Sequence, residues 1–321
     1  MAKFALNYNR INPYMDEVSE IIIKFHKSNN LLDFLKEHKD QRIVISIEDG
    51  LKFIKDGGID YFKLIKQLNI NNFILRFPSM FSDKSITKKQ SEEIRAEKIP
   101  FFFNDYVDKW DVLYGYFDLG VKAVYIANEL GFELDKVHEM AAEQGVEIRV
   151  LPNVAQSSWF STPDLTKFFI RPEDIEDYEP YVDVFELYET NPERPQIGEI
   201  LYKAYAKDKK WFGKLNEIIS NFDNDLDGRF THPLWADRRL SCGKKCLKGA
   251  RCRMCYTLAG LADTLKKVGI TVEKEESEKP VPNREELEKL INEYYGADAH
   301  AINLDDILSD VNNQLDNNEN K

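Results

Sequence analysis

Cysteine and long apolar runs are both scarce in this sequence. Four of the 321 residues are cysteine, and no stretch approaches the roughly 18 apolar residues that a membrane-spanning helix requires. The first 20 residues also lack the apolar stretch and the small-residue cleavage site of a secretory signal. We therefore expect a soluble cytoplasmic protein with no membrane partner, in a reducing compartment where clustered cysteines bind metal or do redox chemistry.

The overall charge is negative. The formal net charge is -12, and hydrophobic residues make up 43% of the chain, which is ample for a packed core. An acidic surface disfavours broad, sequence-independent binding to nucleic acid, because phosphates require a positive track. A nucleic-acid partner would therefore need a local basic patch.

Short apolar runs rich in β-branched and aromatic residues recur through the first 190 residues, and each has the length of a buried strand. The eight runs are FALNYN from Phe4, RIVISIE from Arg42, FILRFP from Phe73, PFFFND from Pro100, AVYIAN from Ala123, EIRVLPN from Glu147, KFFIRP from Lys167 and VDVFELYE from Val182. The segments between them, beginning with YMDEVSEIIIKFHK from Tyr14, have apolar residues at helical spacing.

This strand–helix alternation predicts parallel strands covered by helices. Eight units predict a (β/α)₈ TIM-type barrel over residues 1–195. The alternative is an open doubly wound sheet, but the glycine-rich loop that its dinucleotide-binding version requires is missing after the first strand. Residues 196–270 are predicted to form a helical extension with a four-cysteine metal site. Residues 271–321 are predicted to form a charged linker, a short helix and a disordered tail.

All four cysteines fall within fourteen consecutive positions. They are Cys242, Cys246, Cys252 and Cys255, with the spacing C-x3-C-x5-C-x2-C. Thiolates that converge on one point bind zinc or an iron–sulfur cluster. Zinc fingers normally separate their two pairs by a dozen or more residues, and here five residues separate them. The spacing therefore favours a [4Fe–4S] cluster, with Zn²⁺ as the alternative.

The cysteine segment is strongly basic. No acid falls between Arg238 and Tyr256, and seven cations surround the cysteines: Arg238, Arg239, Lys244, Lys245, Lys248, Arg251 and Arg253. They balance the negative charge of a thiolate cluster, or they bind an anion such as a phosphate or a carboxylate.

Polar residues follow the predicted strands, at the end of a barrel where catalytic groups lie. Arg149, Arg171 and Asn153 are candidates for binding an anionic substrate, together with Arg238 and Arg239. Four more residues, Glu48, Asn104, Glu129 and Glu186, are candidate catalytic groups, the glutamates as acid–base residues. We expect these strand-end residues to line one cavity, with the cysteine segment over it. The alternative is that these polar residues belong to ordinary surface loops after the strands and have no functional role.

Several phrases resemble the U32 peptidase family. They are the segment that begins PNVAQSSWF at Pro152, VYIANELG from Val124, FFIRPEDI from Phe168, the strand that ends at Glu186, and ADRRLS before the Cys242-x3-Cys246 pair. The resemblance implies a divergent member of a family of iron–sulfur barrel proteins. It also implies oxygen-independent hydroxylation of an RNA base or a quinone precursor, with the four cysteines holding the cluster.

Two functions follow from these patterns. The first is a U32-type iron–sulfur enzyme that modifies an RNA base or a small anionic substrate. The second is a non-catalytic barrel scaffold with a structural zinc knuckle, whose basic loop binds nucleic acid or a protein partner.

Overall fold

The computed structural model describes residues 2–126, 133–154, 169–189, 196–211 and 213–219. Nine strand segments in these ranges form a single parallel sheet. The segments are β1 (Phe4–Asn7), β2 (Glu20–Lys24), β3 (Arg42–Ser46), β4 (Phe73–Phe77), β5 (Phe101–Phe103), β6 (Tyr106–Val107), β7 (Ala123–Ile126), β8 (Glu147–Val150) and β9 (Val184–Glu186).

The sheet curls until its two edges meet. Its strand order is β5-β4-β3-β2-β1-β9-β8-β7-β6, and only Asn104 and Asp105 separate β5 from β6 along the chain. The two edges are therefore one interrupted strand. The Lys122 amide donates to the Phe101 carbonyl oxygen at 2.8 Å, which also links β5 to the start of β7. The predicted eight-stranded α/β barrel is confirmed, although β6 lies just beyond the fourth predicted run, which ends at Asp105.

Eight α-helices lie in the described ranges. They are α1 (Asn29–Glu37), α2 (Gly50–Lys55), α3 (Gly58–Gln67), α4 (Lys88–Ala96), α5 (Trp110–Leu119), α6 (Leu134–Gln144), α7 (Ile175–Tyr178) and α8 (Ile197–Tyr202). A π-helical turn at Lys203–Asp208 continues α8, and short 3₁₀ turns cover Pro172–Asp174 and Leu215–Glu217.

Local sequence signals set several helix ends. Thr87 caps α4, and with Gln90 it forms a reciprocal capping box. Gly145 ends α6 in the left-handed region at a φ of 62°. Gly57, at a φ of 74°, separates α2 from α3. Glycine adopts the left-handed region at a helix end with the smallest steric penalty.

Two predicted elements are wrong. The segment from Tyr14 was predicted as a helix, but its Glu20–Lys24 part is strand β2, paired with β1 and β3. Its isoleucine run suits a strand that is buried on both faces. The run from Lys167 was predicted as a strand. Its described part, from residue 169, makes no strand pairing, although Phe169 and Ile170 are buried.

The main apolar core lies between the strands and the surrounding helices. Aromatic rings form much of it, and Phe62 packs on Phe73 with ring centroids 5.0 Å apart. Residues after Gln196 join this core, because Tyr202 packs edge-on against Phe4, with ring centroids 6.0 Å apart. Within the described ranges, no helix has both the length and the hydropathy of a bilayer-crossing segment.

Candidate functional site

A chain of alternating charges fills the inside of the barrel. We call it the axial network, and its six members are Glu147, Arg42, Glu20, Arg149, Glu186 and Arg76. Three are acids and three are bases, so the network is neutral as a set. Barrel interiors are usually filled by branched apolar side chains, so a charged interior is unusual for this fold.

The amino-terminal half of the network begins where β3 and β8 start. Arg42 donates to Glu147 at 2.6 Å and also pairs with Glu20. Glu20 in turn accepts from Arg149 Nη2 at 2.7 Å. Since β1 and β9 lie between β2 and β8 in the sheet, the bond from Glu20 to Arg149 crosses the barrel interior.

The carboxyl-terminal half ends where β4 and β9 end. Arg149 Nη2 lies 3.5 Å from Glu186 Oε2, and Arg76 Nη1 lies 2.7 Å from Glu186 Oε1. Glu186 is thus held between two guanidinium groups. The network runs from the amino-terminal to the carboxyl-terminal end of the barrel, where barrel enzymes place their active sites.

Charge pairing favours the ionised forms of Glu20 and Arg149. Burial alone would raise the pKa of Glu20, but the charges of Arg149 and Arg42 and their hydrogen bonds hold it below its ordinary value. Burial alone would lower the pKa of Arg149, but the negative charge of Glu20, with smaller contributions from Tyr125 and Glu186, raises it. The interior therefore carries fixed charges of both signs.

The carboxyl-terminal end of the network opens into a group that we call the mouth cluster: Arg76, Glu186, Tyr125, Tyr106 and Ser46. Arg76 Nη1 lies 3.1 Å from Tyr125 Oη, and its Nη2 lies 3.3 Å from Ser46 Oγ. The Tyr125 hydroxyl donates to Glu186 Oε2. Tyr106 is the most exposed member, at 40%, and its ring centroid lies 5.9 Å from that of Tyr125.

Both tyrosines of the mouth cluster have a raised pKa, which favours the neutral hydroxyl. Burial raises the pKa of Tyr125 above its ordinary value, and the charge of Glu186 raises it further. The same two causes raise the pKa of Tyr106. A neutral hydroxyl beside a carboxylate can orient that carboxylate or donate to a bound oxygen atom.

Several buried donors of the two arginines have no acceptor among the described residues. They are Arg76 Nε, Arg149 Nε and Arg149 Nη1. The guanidinium of Arg149 lies over the rings of Phe102 and Tyr125, at 5.2 and 5.7 Å from their centroids, which compensates part of its positive charge. Arg76 has no such ring contact among the described residues. A buried donor without a partner costs about 1–3 kcal/mol, so Arg76 Nε is the point where an added acceptor gains most.

A second unusual carboxyl lies just beyond the end of β9. Burial raises the pKa of Glu189 to about 7, and its Oε1 has no hydrogen-bond partner in the described part of the chain. The amide Nδ2 of Asn12 is buried and similarly without a partner there. Both atoms face Gly198, where a Cβ would overlap Glu189 Oε1. A carboxyl that titrates near neutral pH suits proton transfer.

The predicted site residues have different surroundings. Arg149 and Glu186 are brought together in the axial network. Glu48 is exposed and pairs with Lys24 at 2.8 Å, and that hydrogen bond and charge lower its pKa. Asn104 is exposed between β5 and β6, and its backbone amide donates to Phe77 at 2.9 Å.

Asn153 and Arg171 are committed to contacts within the protein. The buried Asn153 side chain donates to the carbonyls of Tyr188 and Ile218 and accepts from the Tyr188 amide at 2.9 Å, so it joins three segments. Arg171 Nε donates to Asp174 at 2.6 Å, next to the 3₁₀ turn. Of the described residues predicted to line one cavity, the structure therefore brings Arg149 and Glu186 into contact and gives the others separate surroundings. Their roles toward a substrate stay predictions.

The remaining predicted residues lie outside the described ranges. They are Glu129, Arg238, Arg239 and the cysteines Cys242, Cys246, Cys252 and Cys255. Among the residues that are described, no group of three or more His, Cys, Asp or Glu side chains could hold a metal ion. The [4Fe–4S] cluster and its Zn²⁺ alternative stay predictions from the cysteine spacing.

The candidate site residues predicted from the sequence did not include Glu20, Arg76, Tyr125 or Glu189. Arg76 and Glu189 do stand at strand ends, which is a weak signal by itself. Glu20 had a stronger signal, because it is an acid directly before three isoleucines. That signal is informative only once β2 is recognised as a strand of the barrel.

No protein-family model and no curated protein matches the chain. Among solved structures, the U32 peptidase Mk0906 is similar at 14% identity and a TM-score of 0.35, over 60% of this chain and 94% of that one. The HpcH/HpaI aldolase from Desulfitobacterium hafniense DCB-2 is similar at 9% identity and a TM-score of 0.32, over 58% and 85% of the two chains.

A third similar structure is the Bacillus subtilis YkuI protein, which has an EAL domain and was solved in complex with its substrate c-di-GMP and calcium. Its identity is 14% and its TM-score 0.32, and the match covers 49% of this chain and 39% of YkuI, less than half of that protein. At these values the comparisons assign neither a family nor a reaction. The coordinates themselves define a parallel α/β barrel, and U32 membership stays a prediction from the sequence.

Proposed function

We propose that this protein is an iron–sulfur barrel enzyme that acts on a small anionic substrate at the mouth cluster. The observation that carries the proposal is Arg76. Its guanidinium lies at the carboxyl-terminal end of the barrel with a side chain 13% exposed, and its Nε has no acceptor among the described residues. Nε itself is shielded from solvent, so an anionic oxygen would first approach the exposed part of the guanidinium, where it would form a charge-assisted hydrogen bond.

The surrounding residues have distinct roles in this proposal. Glu186 and Ser46 hold the Arg76 guanidinium in place. Tyr125 orients Glu186 through its hydroxyl, and Arg149 supports Glu186 from inside the barrel. Such fixed partners let a site bind a charged group without reorganising around it. Glu189, at the end of the same strand as Glu186, is the candidate for proton transfer, because its pKa is about 7.

The cofactor part of the proposal rests on the sequence. The C-x3-C-x5-C-x2-C spacing favours a [4Fe–4S] cluster held by Cys242, Cys246, Cys252 and Cys255. A bound cluster would supply electron transfer. The resemblance to U32 proteins implies oxygen-independent hydroxylation, of an RNA base or a quinone precursor, as the reaction of the family. For this chain we propose a small molecule as the substrate, because its net charge of -12 disfavours extended RNA binding.

The anion site can be tested by calorimetric titration with malonate at fixed ionic strength. Arg76→Lys keeps the positive charge but removes the Nε donor, so we expect saturable binding to weaken about tenfold or more. The matched control is Arg10→Lys at an exposed arginine, which should bind as the wild type does. Circular dichroism of each variant verifies that the barrel is folded.

Two results would contradict the proposal. One is malonate binding that Arg76→Lys leaves unchanged, which would place the anion elsewhere. The other is absence of malonate binding together with tight binding of a single-stranded RNA oligonucleotide. That combination would contradict a small anionic substrate at the mouth cluster. It would favour a nucleic-acid ligand, which both an RNA-modifying enzyme and a scaffold with a zinc knuckle would bind.

A further inference from the structure

A separate cleft lies beside the carboxyl-terminal ends of β2 and β3, and we call it the rim cleft. Its volume is about 470 Å³, within the range of small-molecule sites. Five cationic or ionisable nitrogen side chains line it: Lys24, His26, Lys27, Lys52 and Lys84. None of the residues of the mouth cluster or the axial network lines this cleft.

Two of the three acids that line the rim cleft have carboxylates committed to other contacts. Glu48 pairs with Lys24. The Asp49 carboxylate caps α2, where it accepts from the Lys52 amide at 2.8 Å. Asp56 contributes the third carboxylate of the lining, and its backbone carbonyl accepts from Lys27 Nζ at 3.1 Å.

Two lysines are therefore available to an added anion. Neither Lys52 nor Lys84 forms an ion pair within the part of the chain that the structure describes. Lys84 is close enough to Glu48 to help lower the pKa of that carboxyl, after the larger effect of Lys24. Lysine ammonium groups bind phosphate as mobile point charges, so two unpaired lysines in one cleft suit a phosphate group.

The floor of the rim cleft is apolar and aromatic. It contains Ile47, Phe25 and Phe53, and the two phenylalanine rings meet edge-to-face with centroids 5.2 Å apart. A Cβ at Gly58 would overlap the Phe53 ring, so glycine at that position lets the ring lie where it does. Phe53 and Ile47 are each 4% exposed, whereas Phe25 is only partly buried. A flat apolar body could therefore rest on Phe25 while its charged end reaches the lysines.

We propose that the rim cleft binds a phosphorylated small molecule, with its phosphate on Lys52 and Lys84 and a planar body against Phe25. The proposal rests on the cleft alone and does not depend on catalysis at the mouth cluster. Phosphate sites of α/β barrels are frequently built from the loops after strands seven and eight. The rim cleft lies instead after the second and third strands, so it is a different site.

The test is calorimetric titration of the full chain with adenosine 5′-monophosphate, inorganic phosphate and uncharged adenosine at constant ionic strength. We expect the monophosphate to bind tightest, because it alone offers both the charge and the flat body. In Lys52→Gln/Lys84→Gln its affinity should fall about tenfold or more. The matched control is Lys36→Gln/Lys89→Gln, which removes the same charge from exposed helical positions outside the cleft and should bind as the wild type does.

Each other outcome would overturn part or all of the proposal. No saturable binding of the monophosphate or of phosphate would remove the site. Equal losses in the two double variants would show a general charge effect instead of a built cleft. Monophosphate binding no tighter than inorganic phosphate would remove the role of the aromatic floor. Binding that survives roughly 0.5 M NaCl without weakening would contradict the lysine contacts, because salt screens exposed charges.

Discussion

Arg149 Nη2 lies 2.7 Å from Glu20 Oε2 inside the barrel, with the two side chains 0% and 2% exposed. The residues come from β8 and β2, which are not neighbours in the sheet. This bond therefore joins opposite walls of the barrel. A buried pair of this kind adds little net stability compared with a well-packed apolar pair, but removal of one partner leaves the other charge buried and uncompensated.

Glu20→Gln should destabilise the protein by about 3–5 kcal/mol, because Arg149 loses its nearest negative charge. Arg149→Met should have a similar effect through Glu20. The double variant should lose less than the sum of the two single losses, since it removes both charges together. Urea denaturation of the four proteins measures this coupling.

The control for this cycle is Glu48→Gln, which breaks the exposed ion pair with Lys24. Surface pairs contribute little, so its denaturation midpoint should match that of the wild type. If Glu20→Gln were as mild as Glu48→Gln, the interior placement of the axial network would be wrong.

Glu189 should make stability depend on pH. Its pKa is about 7 in the folded protein and 4.5 is the ordinary value, so between these values the folded state holds a proton that the unfolded chain has released. The free energy of unfolding should therefore fall as pH rises from about 4.5 to 7. The full difference is at most about 3.5 kcal/mol, since one pKa unit is worth about 1.4 kcal/mol.

Glu189→Gln removes this dependence, because an amide does not titrate. The variant should gain stability relative to the wild type as pH rises from 5 to 8. Urea titrations of both proteins across that range give the free energies of unfolding to be compared. Glu37→Gln, at an exposed position of α1, is the charge-matched control. A constant difference between Glu189→Gln and the wild type across the range would mean that Glu189 titrates normally.

Two glycines should respond oppositely to substitution by alanine. A Cβ at Gly58 would overlap the ring of Phe53, whereas a Cβ at Gly115 meets nothing within 4 Å. Gly58→Ala should therefore destabilise the protein by about 1–3 kcal/mol through overpacking. Gly115→Ala, inside α5, should stabilise it by about 0.5–1 kcal/mol, because alanine favours a helix. The unfolding temperatures of both variants should be compared with that of the wild type. A shift in the same direction for both would contradict the packing of Gly58 against Phe53.

The barrel could be predicted from the sequence because strand and helix periodicities alternate locally along the chain. Strand β2 was missed because the segment around Glu20 also carries apolar residues near helical spacing. Phe169 and Ile170 have the hydrophobicity of a strand, but they are buried without pairing. A one-dimensional pattern reports burial more directly than it reports hydrogen bonding between strands.

The site was predicted in part, for a different physical reason. Arg149 and Glu186 could be found because they are charged residues in or just after apolar strands. Their partners could not, since Glu20 is 129 positions from Arg149 and Arg76 is 110 positions from Glu186 along the chain. These contacts depend on barrel closure, and no local pattern encodes which charges meet across the interior.

The metal content of the anaerobically purified protein tests whether this barrel is an iron–sulfur enzyme. Iron, acid-labile sulfide and zinc should be measured per chain for the wild type and for Cys246→Ser. We expect about four iron and four sulfide per wild-type chain, as a [4Fe–4S] cluster requires, and a large loss of both in Cys246→Ser. About one zinc per chain without sulfide, or a metal content that Cys246→Ser leaves unchanged, would contradict it.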